Sequence, residues 1–179
     1  MLKPVKVLRI EAQGTFAIVA SQYNARYVDA MLRAARAELK RSGVKRVQVI
    51  RVPGAFEIPV VAARLARSAS VHASRITHLS RRRQTEADRA SLSAIICLGV
   101  ILRGETTHAA HIGEAISRAL MEIQLQYEIP VIHEVLLLEN EAQARVRCLG
   151  RKHNRGAEAA QTALAMAQVM QRIVHNTLS

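Results

Sequence analysis

The chain of 179 residues contains no tryptophan and has only three tyrosines and two phenylalanines. So few aromatics cannot build much of a base-stacking platform for single-stranded nucleic acid, and neither an RNA-binding aromatic motif nor zinc-finger spacing accompanies them. Of the two cysteines, Cys97 lies in an apolar run and Cys148 in a stretch of helical spacing. They form neither a CxxC pair nor a disulfide framework, so a reducing, cytoplasmic setting is expected. The N-terminal MLKPVKVLRIEAQG has no continuous apolar stretch, and nowhere does an apolar run approach the roughly 18 residues of a membrane span. Neither a signal peptide nor a membrane span is expected. Carboxylates are also scarce: 14 Asp and Glu against 26 Lys and Arg leave a net charge of +12, a surplus that draws polyanions whatever the fold.

What is present is aliphatic. Half the residues are hydrophobic, so the core must be made of Ala, Val, Ile and Leu, which suits helices laid on a parallel sheet. From residue 15 onward strand and helix signals alternate. TFAIVAS is a short apolar run, Asn24 a candidate N-cap, and VDAMLRAARAELKRS a helix with Val28, Met31, Leu32, Ala35 and Leu39 on one face, ended by Gly43. VKRVQVIRV is a second strand, broken at Pro53-Gly54 before the helical FEIPVVAARLARS. SAIICLGVIL and a helix over 108–127 make the third unit. PVIHEVLLL, a helical segment from about 140 and a long helix from about Gly156 make the fourth. Four βα units predict an α/β single domain over 1–179, a three-layer sandwich around a four-stranded parallel sheet.

Two segments fall outside that rhythm. Residues 68–91, SASVHASRITHLSRRRQTEADRAS, are rich in arginine and far longer than such a connection needs; they read as an exposed basic insertion with possible nonspecific affinity for nucleic acid. The arm over residues 1–14 alternates well enough in VKVLRI to add as an edge strand to a neighbouring subunit.

Ligands of open parallel sheets bind beyond the carboxyl ends of the strands. There the sequence places SQYN (21–24), VPGAFE (52–57), RGETTH (103–108) and the end of the fourth strand around His133. In RGETTH, a glycine, two hydroxyls and a helix start suit an anion, although the same residues would serve as an ordinary helix cap. His108 and His111 lie three apart on one helix, but no further ligands accompany them and no metal site is expected. A histidine beside a phosphate site is better suited to proton transfer, since this side chain exchanges protons near neutral pH. VPGAFEIP offers Phe56, backbone amides and Glu57 to a flat heterocycle, or else buries Phe56 in the core. Arg145, Arg147, Arg151, Lys152 and Arg155 cluster near the C-terminus, where one or two could reach a phosphate and the rest would be a solvated face.

FAIVASQYN, VRVPGAFEIPVVAARLA, GVILRGETTH and NRGAEAA, in that order, resemble the lumazine synthase family, from about residue 14 to residue 173 with a gap at the insertion. The resemblance implies a flavodoxin-like fold and a step of riboflavin biosynthesis. In that step 5-amino-6-(D-ribitylamino)uracil condenses with 3,4-dihydroxy-2-butanone 4-phosphate to give 6,7-dimethyl-8-ribityllumazine, phosphate and water, without metal or organic cofactor. It implies that Tyr23, Ala55, Phe56, Glu57, Val100, Ile101, Leu102 and His133 contact the uracil and ribityl chain. Glu105, Thr106, Arg147 and Arg155 would bind phosphate, His108 would transfer protons, and Glu158 would orient it. It further implies a homo-oligomer, a pentamer with shared active sites and in some members a larger icosahedral shell.

The chain departs from the family pattern at four residues and in one insertion. Ala109 and His111 stand where aromatics are usual, His133 where an aromatic or apolar residue packs, and Arg155 where a lysine is usual. The arginine-rich insertion has no counterpart. A competing expectation is therefore a cage protein whose pocket has decayed and whose basic segment binds nucleic acid or directs assembly.

Overall fold

The computed structural model describes residues 14–76, 92–150 and 153–177, with 71–76 and 175–177 described as backbone alone. Four strands form one parallel sheet in the order β2-β1-β3-β4. They are β1 (Thr15–Ser21), β2 (Arg46–Val52), β3 (Leu92–Leu102) and β4 (Val131–Leu138). The central strands β1 and β3 are apolar almost throughout because both faces are covered, whereas β2 at the edge alternates with exposed positions. Helices α1 (Ala25–Arg41) and α5 (Arg155–Thr177) cover one face, and α2 (Ile58–Ile76) and α3 (His108–Tyr127) the other. A short α4 (Glu141–Ala144) and a π-helical turn, Arg145–Leu149, follow β4. The three-layer α/β architecture is the one the alternating pattern predicts.

Each face has its own aliphatic core. Phe16, Ile18, Ile96 and Leu98 meet Met31, Leu39 and Leu164 on one side, and Ile95, Cys97 and Val135 meet Ile58, Ile116 and Leu120 on the other. Gly43 ends the α1 turn with φ +83°, a left-handed conformation that glycine adopts without strain.

Asn24 precedes α1 as expected but does not cap it through its side chain. Its backbone is left-handed, with φ 56°, and its amide Nδ2 donates instead to the carbonyl of Val100 at 2.8 Å. A residue that tolerates this conformation thus ties the end of β1 to β3. Asn24→Ala should therefore cost about 1–2 kcal/mol, from the lost bond together with left-handed strain on alanine. The check is a lower urea midpoint at unchanged slope.

The first part of the stretch read as an insertion, 68–76, is helical, because α2 runs on through Ile76. Its alanines continue the face that packs on the sheet, Ala62 and Ala66 being buried and Ala69 partly so. The rest of that stretch, 77–91, and the N-terminal arm over 1–13 lie outside the described residues.

Candidate active site

Three loops meet at the carboxyl end of β3. The chain leaving β1 is stitched to the one leaving β2: Gln22 N donates to Val52 O at 2.7 Å and Tyr23 N to Pro53 O at 3.0 Å. Asn24 then fastens this pair of loops to Val100. Behind them, Gly99 leaves room for the start of α2. A Cβ there would lie 3.3 Å from Ala55 Cβ and Ile58 Cδ1 and 3.0 Å from Val135 Cγ1, so no larger residue would let the 53–57 turn sit so close. Glu57 closes that turn by accepting from Gly54 N at 2.9 Å, and Ile58 N donates to Ala55 O at 3.2 Å.

Around the end of β3, Ala55 and Val100 are buried in the cores on opposite faces of the sheet, Ile101 and Leu102 are half-buried, and two aromatics of the adjoining loops stand in solvent. Tyr23 is 73% exposed and Phe56 60%. Phe56 is thus not a core residue, and with Glu57 it begins a turn rather than the helix itself, which starts at Ile58.

RGETTH follows β3. Arg103 is paired across the strand ends: its amide donates to Leu138 O at 2.8 Å, and Nη1 reaches both oxygens of Glu139 at 2.9 and 3.1 Å. These bonds lock the ends of β3 and β4 together and present the next residues outward. Glu105, Thr106, Thr107 and His108 are all exposed. Thr107 occupies the N-cap position of α3 without a side-chain cap, and His108 N makes only a long 3.4 Å bond to Thr106 Oγ1. The amides of Thr106 and Thr107 meet no acceptor among the described residues. Open amides at the positive end of a twenty-residue helix are what an anion needs. The cap reading accounts for little of this loop.

The cations sort clearly. Arg147 lies exposed on the π-helical turn and pairs with no carboxylate among the described residues. Arg155 is the opposite case, because all arms of its guanidinium are taken. Nε donates to Glu134 Oε2 at 3.0 Å, Nη2 stands 2.9 Å from Glu134 Oε1, and Nη1 donates to Glu158 Oε2 at 2.7 Å. In the single chain, therefore, Arg155 is engaged with these two carboxylates. Glu158 likewise spends its carboxylate on Arg155, and among the described residues it makes no ion pair or hydrogen bond with His108.

His133 stands apart from the crevice loops of its own chain. It pairs with Cys97 well before the end of the edge strand β4, and its ring stands beside α3 rather than among the crevice loops. Nδ1 accepts from Val135 N at 3.2 Å and Nε2 lies 2.8 Å from Ser117 Oγ, which donates on to Gly113 O at 2.8 Å. That chain fixes a neutral tautomer with the proton on Nε2. Shielding of the ring from solvent holds its pKa below the usual histidine value.

Sequence reasoning did not single out Asn24, Gly99 or Glu134 as site residues. Asn24 looked like a cap and Gly99 like one small residue in a strand, and only the fold gives them tertiary partners. Glu134 sits in a run whose alternation reads as strand, with nothing local to announce Arg155 twenty-one residues on.

The model of the 6,7-dimethyl-8-ribityllumazine synthase family matches residues 13–171. The chain belongs to the lumazine synthase family. It is 36% identical over 168 residues to 6,7-dimethyl-8-ribityllumazine synthase of Stenotrophomonas maltophilia (strain R551-3), a span of 93% of this chain and 95% of that one. It is 37% identical over 158 residues to the enzyme of the same name from Xanthomonas oryzae pv. oryzae (strain PXO99A), covering 87% and 89%. As a lumazine synthase family member the chain is a transferase of riboflavin biosynthesis, and this reading prevails over a decayed, non-catalytic cage. No described helix is long and apolar enough to cross a membrane, and no group of three or more His, Cys, Asp or Glu that could hold a metal ion occurs among the described residues.

Proposed function

We propose that the β3 crevice is where 5-amino-6-(D-ribitylamino)uracil and 3,4-dihydroxy-2-butanone 4-phosphate condense, with roles divided along the loops just described. The observation that carries this is the joining of the Tyr23, Phe56 and RGETTH loops around the end of one strand. The pyrimidine lies against Tyr23 and Phe56, with Ala55, Glu57, Val100, Ile101 and Leu102 along the ring and ribityl chain. Glu105, Thr106 and the open amides at the start of α3 receive the phosphate, and Arg147 neutralises it as it departs. The amine adds to the butanone carbonyl and water leaves to give a Schiff base. Phosphate is then eliminated, the ring closes on the second nitrogen and a further water departs. His108 carries protons between these steps, and holding two substrates in register supplies much of the remaining acceleration.

In the single chain Tyr23 and Phe56 stand open to solvent. Two marked concavities of the described surface, about 360 Å³ along α3 between His111 and Glu122 and about 550 Å³ between α1 and β2, are lined by none of these substrate residues. Met121, Leu125, Val169, Ile173 and Val174 are exposed on helix surfaces, the kind of apolar surface that subunit contacts cover. A pentamer whose sites are shared between neighbours accounts for both, and it places His133, on its outer strand, beside the heterocycle of the adjacent subunit. Residues 77–91 then bear on how pentamers pack into larger particles. Native mass spectrometry tests the assembly: a pentamer or a multiple of it is expected, and deletion of 77–91 should change the particle mass, whereas a monomer would defeat the shared site.

The deciding experiment for function is a steady-state assay with both substrates, following the fluorescence of the lumazine formed. Arg147→Ala should raise the KM for the butanone phosphate about tenfold or more, since it removes a charge-assisted contact to phosphate. A folded oligomer that makes no product would overturn the reading.

A further inference from the structure

The only buried carboxylate on the sheet among the described residues is Glu134, and it has no role in the chemistry above. It lies on β4, 6% exposed, on the face turned toward α5. Both its oxygens meet one guanidinium, that of Arg155, whose remaining arm holds Glu158. A two-pronged arginine–carboxylate pair with a third bond fixes the guanidinium in its plane. A phosphate would have to break that arrangement to use Arg155. Two carboxylates share one cation, so the ionised cluster is negative in sum, and Arg147 lies close enough to act on Glu134 electrostatically.

We propose that Glu134 is a positioning residue: it withholds Arg155 from the substrate phosphate and clamps it to Glu158, so that Arg147 meets the phosphate alone against the negative surplus of the cluster. This rests on the lumazine synthase reading and refines its phosphate site. The clamp is also sensitive to pH. Burial pushes the Glu134 carboxyl up to about 7; Arg155 and Arg147 pull against that rise and the charge of Glu158 adds to it. The groups facing it are Arg155 and Glu158 from α5 and Arg147 and Cys148 from the π-helical turn. Cys148 is itself pushed up to about 11, chiefly by burial, and stays neutral over the range concerned. Because the Glu134 pKa is raised, the carboxyl takes up a proton as pH falls through about 7. The cluster then loses one negative charge and anion binding gains. Above that pH the carboxylate opposes phosphate in full.

Inorganic phosphate is the probe, titrated calorimetrically into the assembled wild-type protein and into Glu134→Gln between pH 6 and 8, with the KM for the butanone phosphate measured alongside. Glutamine keeps the shape and one acceptor while removing the charge. The variant should bind phosphate roughly three- to tenfold more tightly at pH 8. That advantage should shrink toward none at pH 6, where wild-type Glu134 is already neutral. Because phosphate gains negative charge over this range, sulfate, whose charge stays fixed, is titrated beside it and should show the same loss of advantage. KM should follow the phosphate affinity, with kcat changing less. Equal affinities at pH 8, or an advantage that is the same at both pH values, would overturn the proposal. Should the variant fail to assemble, sulfate, which does not titrate in this range, decides the matter on the wild type: its affinity should fall several-fold from pH 6 to 8, and a flat profile sinks the clamp. A wild type that forms no lumazine would defeat the functional reading, whereas an active enzyme whose anion affinities ignore Glu134 would defeat this inference alone.

Discussion

Gly156→Ala should cost the protein about 3 kcal/mol or more, at or beyond the upper end of ordinary overpacking. Gly156 is buried in the first turn of α5 where that helix crosses α1. A Cβ at this position would lie 2.0 Å from the carbonyl oxygen of Met31, 2.5 Å from its carbonyl carbon and 2.6 Å from its Cα. Those atoms are backbone in the middle of α1, so no side-chain rotation relieves the overlap and one helix must lift off the other. The contacts then lost are Met31, Leu39, Ala160, Ala163 and Leu164, the middle of one of the two cores. For a chain of this size the melting temperature should fall by roughly 6–12 °C, and Arg155 and Glu158, on the same helical turn, should move with it. Gly104→Ala is the control: nothing lies within 4 Å of the added carbon, and its cost should stay within about 0.5 kcal/mol. Circular dichroism melts of the two variants decide the point, and equal melting temperatures would show that α1 and α5 yield more easily than their spacing allows.

The second large effect is catalytic. His108→Ala should lower kcat for lumazine formation by roughly 10²–10⁴-fold, the usual contribution of a positioned proton-transfer group. It should leave stability almost untouched, because the side chain is exposed and makes no contact that the fold depends on. That split distinguishes it from Gly156→Ala. The loss should fall on kcat more than on KM, in contrast to Arg147→Ala, where binding of the phosphate carries the effect. A His108→Ala enzyme within a fewfold of wild type would move proton transfer to solvent or to another residue.

The order of strands and helices was legible from residue periodicity because a doubly covered parallel sheet writes itself as apolar runs separated by amphipathic helices. The loops of the crevice were legible too, since each follows a strand and carries its own chemistry: SQYN, VPGAFE, RGETTH. What could not be read were side-chain partners far apart in sequence. Arg155 was assigned to phosphate through the family resemblance, and nothing in the sequence shows what competes for it. Its competitor, Glu134, is brought to it only by the packing of α5 on β4. Asn24 misled similarly, its side chain going to Val100 rather than to its own helix. The helical character of 68–76 was hidden because its three serines weaken the helical pattern, while packing of Ala62, Ala66 and Ala69 on the sheet carries α2 onward.

The eleven residues of β3 span roughly 33 Å. At one end the chain returns at Leu92 from its arginine-rich excursion, and at the other Val100, Ile101 and Leu102 lead into the reacting groups. A rigid central strand of that length acts as a spacer between two regions subject to different demands. A change made at the Leu92 end of the strand therefore reaches the reacting groups only through the full length of the sheet.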